Sequence, residues 1–170
     1  MEQEYVLQRK QLIASYFAER AGGCIFCHFA WTETPDQTGH RSMPDIRIDP
    51  FPSPDEFAAF WAAAWNASEP PDFARILPRS LAHLGAYHEG RLIGFVNVAW
   101  DGGIHAFILD TSVHPDLRRQ GIATELVKEA TRIARERGAE WLHVDFEPRL
   151  QGFYRACGFR PTEAGLIRLG

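Results

Sequence analysis

Apolar and polar positions alternate along this chain with two different periods. Residues 3–20 carry Tyr5, Val6, Leu12, Ile13, Tyr16 and Phe17 at helical spacing, and Gly22-Gly23 stops the pattern. A β-rich stretch follows at 24–31, then a loop of turn-formers at 32–45. Asp45-Ile46-Arg47-Ile48 reads as a short strand ended by Pro50. Ser53 and Pro54 are an N-cap and first helical position for a helix over 54–66, which turns Phe57, Phe60, Trp61, Ala64 and Trp65 inward. Residues 72–80 read as a short helix or loop around Phe73, Ile76 and Leu77. Residues 82–88 and 91–100 form a hairpin about His88-Glu89-Gly90. Asp101-Gly102-Gly103 makes the next turn, and residues 104–113 are the longest strand signal, closed by Pro115. A helix over 121–137 aligns Ile122, Leu126, Ala130 and Ile133 on one stripe, with Glu125, Lys128, Glu129 and Arg132 facing water. A strand at 140–146, a short helix at 149–157 and an irregular return at 158–169 ending in a last strand complete the chain. The order predicts an α/β fold with a mixed central sheet. Strand 104–113, helix 121–137 and strand 140–146 make one β-α-β crossover, so these two strands should be parallel.

Composition narrows the function classes. The chain has 170 residues, 45% hydrophobic and 24% charged, as ordinary globular domains do. Its net charge of −4 argues against phosphate-driven nucleic-acid binding. No apolar run approaches the roughly 20 residues of a membrane span, and the N-terminus lacks an apolar signal core, so a cytoplasmic location is expected. Three cysteines without a signal peptide do not suggest a disulfide framework. Cys24-Ile25-Phe26-Cys27-His28 matches a haem-attachment spacing, and with His40 it could suggest zinc. Haem attachment of that type needs export, and zinc needs a fourth ligand, so a structural strand and no metal is the expectation.

Between strand and helix lies Val113-His114-Pro115-Asp116-Leu117-Arg118-Arg119-Gln120-Gly121-Ile122-Ala123. A helix N-terminus offers unpaired N–H groups and partial positive charge. Gly121 permits close backbone approach, and Arg118 and Arg119 add positive charge, so the segment suits an anion such as pyrophosphate. It is neither a Walker loop nor a dinucleotide fingerprint.

Arg118-x-x-Gly121-x-Ala123, preceded by Val113-x-Pro115, resembles the acyl-CoA pyrophosphate loop of the Gcn5-related N-acetyltransferase (GNAT) superfamily. Phe153-Tyr154-x-x-Cys157-Gly158-Phe159 resembles that superfamily's second landmark. The resemblance covers roughly residues 45–170. It implies a single GNAT-like acyl-CoA N-acyltransferase domain in which parallel strands 104–113 and 140–146 splay apart and admit acetyl-CoA as co-substrate. It implies pyrophosphate binding by backbone amides across Arg119, Gln120, Gly121, Ile122 and Ala123, with Arg118 beside them. It further implies that Thr111, Ser112 and Val113 pair with the pantetheine amides, that the Val113 amide polarises the thioester carbonyl, and that Phe153 and Tyr154 border the cofactor.

Amine attack on a thioester requires a neutral amine, a stabilised oxyanion and a proton for the thiolate. Tyr154 occupies the family's general-acid position; otherwise it only packs beside the sulfur. Alternation along 140–147 places Trp141, His143, Asp145 and Glu147 on one face, and Asp110 stands on the facing strand. Any of these ionisable groups could be the base, with Glu147 ahead of Asp145; alternatively Asp145 and Glu147 pair with Arg149 or Arg155. Many family members carry Asn near the Glu147 position, and this chain does not. Cys157 has no evident base partner and reads as packing. Trp61, Trp65, Phe73, Trp100 and Trp141, with Asp101 and the carboxylates above, would suit a cationic acceptor, although Trp61 and Trp65 equally fit a helix core face.

The expected activity is therefore N-acetylation of a small-molecule or peptide amine in a ternary complex. A non-catalytic acyl-CoA sensor and an O- or longer-chain acyltransferase are the alternatives. Residues 1–44 are surplus to the template and are expected to add a helix and a strand that pack on the sheet or make a homodimer contact; residues 45–170 form the catalytic domain.

Overall fold

The computed structural model describes residues 44–67 and 69–169. The helix at 3–20, the strand at 24–31 and the Cys24/Cys27 pair expected from sequence lie outside the described residues. Strands β1 (Asp45–Ile48), β2 (Ala82–His88), β3 (Arg91–Trp100), β4 (His105–Val113) and β5 (Trp141–Val144) form one sheet in sequential order. The pairs from β1 to β4 are antiparallel, and β4 pairs β5 in parallel, as the crossover predicts. Helix α1 (Pro54–Trp65) and the single turn α2 (Phe73–Ile76) precede the β2–β3 hairpin. Helix α3 (Ile122–Glu136) makes the crossover, and α4 (Gln151–Ala156) follows β5.

Two apolar layers hold the sheet. On one face, Ile122, Leu126, Val127, Ala130, Ile133 and Ala134 of α3 pack on Leu84, Ala86, Val96, Val98, Ala106 and Ile108. Their spacing along α3 is the stripe read from sequence, and burial of each Ile, Leu or Val among them is worth roughly 1.5–3 kcal/mol. On the other face α1 and α2 supply an aromatic layer. The Phe57 ring lies 4.8 Å from Phe95 and 4.3 Å from Phe73, and Trp61 lies 5.2 Å from Trp65. Ser53 caps α1 by accepting from the Glu56 amide at 3.2 Å, and Asn66 ends it in a left-handed conformation.

A separate tie joins the sheet to the C-terminal end of α3. Arg137 meets Asp49 at 2.7 Å and donates to the Leu81 carbonyl at 2.6 Å. The other Asp49 oxygen accepts from the His83 amide at 2.9 Å, and the buried His83 ring accepts from the Phe51 amide at 3.3 Å.

Two expectations need correction. The strand expected at 140–146 ends at Val144, because its ladder partner β4 diverges from it beyond Ile108. The last strand expected within 158–169 does not form; residues 159–169 are irregular. Pro161 and Gly165 interrupt that segment, and Leu166 and Ile167 are adjacent, so one strand could not turn both toward a single apolar face. Leu166, Ile167 and Leu169 are all exposed.

Candidate acyl-CoA site

The parallel ladder runs from His105–Trp141 to Ile108–Val144 and stops there. Strand β4 continues to Val113, paired only with β3. The two parallel strands therefore separate toward their C-terminal ends, which is the splay the resemblance implies.

Within this unpaired stretch β4 carries a bulge. Asn97 pairs Leu109 and Phe95 pairs Ser112, so Asp110 and Thr111 together oppose Val96. Asp110 adopts φ 58 and is buried. A bulge re-aims the backbone that follows it, here the segment Thr111, Ser112 and Val113. The Ser112 hydroxyl donates to the Asp110 carbonyl at 2.8 Å and braces the bulge. The Thr111 hydroxyl is buried without a hydrogen-bond partner among the described residues, an orphan that a bound amide could satisfy.

Beyond Val113, His114 donates its amide to the Ile93 carbonyl at 2.8 Å, and a 3-10 turn spans Pro115–Leu117. Arg119 takes φ 62 and Gly121 φ 86 immediately before α3. A Cβ at Gly121 would meet nothing within 4 Å, so that backbone faces open space, and its left-handed conformation favours glycine. Among the described residues the amides of 119–124 have no intramolecular acceptor. Those of 121–124 are the orphan donors at the start of a 15-residue helix, and those of 119 and 120 precede it, with Arg119 and Gly121 both left-handed as in an anion-binding nest. Arg119 and Gln120 are exposed beside them. This set fits a pyrophosphate.

Arg118 behaves differently from the sequence expectation. Its side chain donates to two backbone carbonyls, Val113 at 3.0 Å and Ala64 at 2.7 Å. The guanidinium is thus directed into the protein.

Tyr154 lies on α4 and is buried. Its ring stacks on Phe146 at 4.8 Å and meets Phe153 and Phe159 edge-on at 4.8 and 5.7 Å. The motif spacing has a local cause. Gly158 ends α4 with φ 95, its amide donates to Arg155, and the Phe159 amide returns to the Tyr154 carbonyl at 3.0 Å. This is a Schellman ending, in which the residue after the glycine packs on the helix three residues from its end.

The remaining candidates are scattered. Asp145 and Glu147 lie beyond the end of β5, so the strand alternation does not reach them. Asp145 is exposed, and Glu147 forms an ion pair with Arg149 at 3.1 Å. Burial pushes the Cys157 thiol above its ordinary range, which disfavours the thiolate. The aromatic acceptor surface does not assemble. Trp61 and Phe73 belong to the core, while Trp100 and Trp141 are exposed at the opposite end of β4. That strand has nine residues and spans roughly 26 Å at about 3.3 Å per residue. Asp101 at the same far end caps its own turn, accepting from Gly103 at 2.7 Å and His105 at 3.2 Å. His143 is engaged there with His105, their ring nitrogens 2.9 Å apart. Sequence reading missed the Asp110 bulge and the inward turn of Arg118. A lone carboxylate inside an apolar strand was the available signal for the first; nothing in the sequence signals the second.

The described residues contain no group of three or more metal-ligating side chains, and no helix among them is long and apolar enough to cross a membrane. The Acetyltransferase (GNAT) family model matches residues 40–159. A mycothiol acetyltransferase of Mycolicibacterium vanbaalenii is 35% identical over 66 residues, 39% of this chain and 22% of that protein. A chloroplastic serotonin N-acetyltransferase 2 of Oryza sativa is 31% identical over 70 residues, 41% of this chain and 35% of that protein. The matched segment thus spans between about a fifth and a third of these two relatives' length. Among solved structures, a GNAT-family acetyltransferase of Streptococcus pneumoniae aligns with a TM-score of 0.62 at 24% identity, covering 75% of this chain and 98% of that one. An aminoglycoside N-acetyltransferase in complex with CoA aligns with a TM-score of 0.62 at 22% identity, covering 76% and 97%.

Proposed function

Because the chain belongs to the acetyltransferase (GNAT) family, we propose that it transfers the acetyl group of acetyl-CoA to a primary amine of a small molecule or peptide, by direct attack in a ternary complex. The observation that carries this reading is the run of amides at 119–124 with no acceptor among the described residues, on the loop that follows the end of β4 left unpaired by β5. The amides take the pyrophosphate, with Arg119 adding charge. The re-aimed backbone of Thr111, Ser112 and Val113 takes the pantetheine amides, and the Val113 amide donates to the thioester oxygen as it becomes an oxyanion.

Proton accounting assigns the other roles. An alkylammonium, with a pKa of about 10.4, must lose a proton before it attacks. Asp110, buried at the bulge, is the carboxylate nearest in sequence to the Thr111–Val113 backbone and accepts that proton directly or through water. Asp145 and Glu147, in the chain that follows β5, are the other candidates. When the C–S bond breaks, Tyr154 donates its phenolic proton to the thiolate. Reference pKa values of roughly 10 and 8.5 make that transfer cost only about 2 kcal/mol. The relatives are named for compounds as different as mycothiol and serotonin, which keeps the acceptor class here broad. The same reading keeps the protein cytoplasmic and allows a homodimer.

The test is an amine panel incubated with protein and acetyl-CoA, with release of free thiol as readout. Amine-dependent thiol release supports the reading. Thiol release from none of the amines, together with no rise in melting temperature on adding CoA, overturns it.

A further inference from the structure

The motif's first arginine spends its hydrogen bonds inside the protein. Arg118 stands at the root of the anion loop, and its guanidinium reaches Ala64 O at 2.7 Å and Val113 O at 3.0 Å. Ala64 lies in the last turn of α1, where carbonyls have no intrahelical donor and carry the negative end of the helix dipole. No basic residue of α1 itself occupies that turn, so the cation comes from the loop. Val113 is the last residue of β4. One planar fork therefore joins the strand end and the loop that follows it, five residues apart, to a helix on the other face of the sheet, 54 residues away. Lysine could not reproduce this, because a single ammonium lacks two fixed, parallel donors.

We infer that Arg118 is a positioning residue that couples the cofactor loop to the C-terminal turn of α1, so that CoA binding orders that turn. The inference rests on the reading that residues 119–123 hold the pyrophosphate of CoA. It assigns the sequence motif's two arginines opposite tasks: Arg119 screens phosphate charge, and Arg118 transmits the loop's position. The Trp65 indole nitrogen, one residue beyond Ala64, is buried without a partner among the described residues. The turn that Arg118 holds is therefore one in which a polar group is still unsatisfied.

The experiment is hydrogen–deuterium exchange with and without CoA, on the intact chain and on Arg118→Met and Arg119→Met variants. In the unaltered protein CoA should slow exchange both in peptides spanning 119–126 and in those spanning 62–66. In Arg118→Met the loop should still be protected while the protection at 62–66 disappears, and the CoA dissociation constant should change by less than about fivefold. The salt dependence of CoA binding should stay as in the unaltered protein for Arg118→Met and become shallower for Arg119→Met. If Arg118→Met does not fold, Arg118→Lys retains the charge but not the fork and should show the same loss at 62–66. The inference is overturned if protection at 62–66 survives these substitutions, or if Arg118→Met flattens the salt dependence as much as Arg119→Met. Absence of any CoA protection in the unaltered protein would instead remove the cofactor reading itself, and this inference with it.

Discussion

Phe159 donates its backbone amide to the carbonyl of Tyr154 and sets its ring edge-on against the tyrosine ring. The general-acid candidate is thus part of the helix ending itself. Its conformation depends on Gly158, which adopts φ 95. Gly158→Ala should cost about 1–2 kcal/mol, the penalty of a left-handed conformation for a residue with a Cβ. Urea denaturation measures this, and an unchanged midpoint would show that the ending tolerates a side chain.

Tyr154→Phe keeps the stack on Phe146 and removes only the hydroxyl. Turnover should fall by roughly 10²–10⁴-fold if the phenol is the acid. Binding of CoA should hold within about threefold. Steady-state kinetics with the best amine of the panel, paired with calorimetric CoA titration, separates the two effects; full turnover in the phenylalanine variant would leave Tyr154 as packing alone.

Gly121→Val places a β-branched side chain at φ 86, next to the amides of the anion loop. Space is available for the Cβ, so the effect arises from backbone conformation and from crowding of the ligand. CoA affinity should drop at least tenfold. In the unaltered protein, CoA at a hundred times its dissociation constant should stabilise by about 2.7 kcal/mol. A thermal-shift titration compares the two chains, and equal shifts would refute the loop's role.

Acid should weaken the fold through His83 first and through Asp49 at lower pH. Burial lowers the pKa of His83; Asp49 opposes this, and Arg137 reinforces it. The folded protein therefore holds the ring neutral where the unfolded chain, with a pKa near 6.5, already takes a proton. The unfolded state binds more protons in that window, so stability is full above about pH 6.5 and declines as pH falls from there toward the depressed folded value. For Asp49, burial alone would raise the carboxyl, but hydrogen bonds from Arg137 and the His83 amide outweigh it and bring it below its ordinary range. Its contribution is lost in turn as pH falls below about 4. Urea midpoints between pH 8 and pH 5 should decline, and His83→Gln should flatten the decline; an equally steep decline in that variant would assign it to another group.

Much of this protein was legible in the linear sequence because local rules act over short distances. The Ser53-Pro54 start, the stripe of Ile122, Leu126, Ala130 and Ile133, the Val113-to-Ala123 segment and the Tyr154-to-Phe159 ending each place a required residue within one or two turns of its partner. Those features fixed element type and strand direction, and they marked the segment proposed as the anion loop. The Ile108–Val144 separation, the Asp110 bulge and the bond from Arg118 to Ala64 obey no such rule. They join residues tens of positions apart, or depend on which strand lies alongside, so packing alone determined them. That is why Trp61, Trp100 and Trp141 could be read as one surface in sequence and yet stand in a core and at the far end of a strand. A hydrogen-bond donor as long as arginine can be aimed outward at a ligand or inward at a carbonyl with the same sequence, and only the position of α1 selected the second.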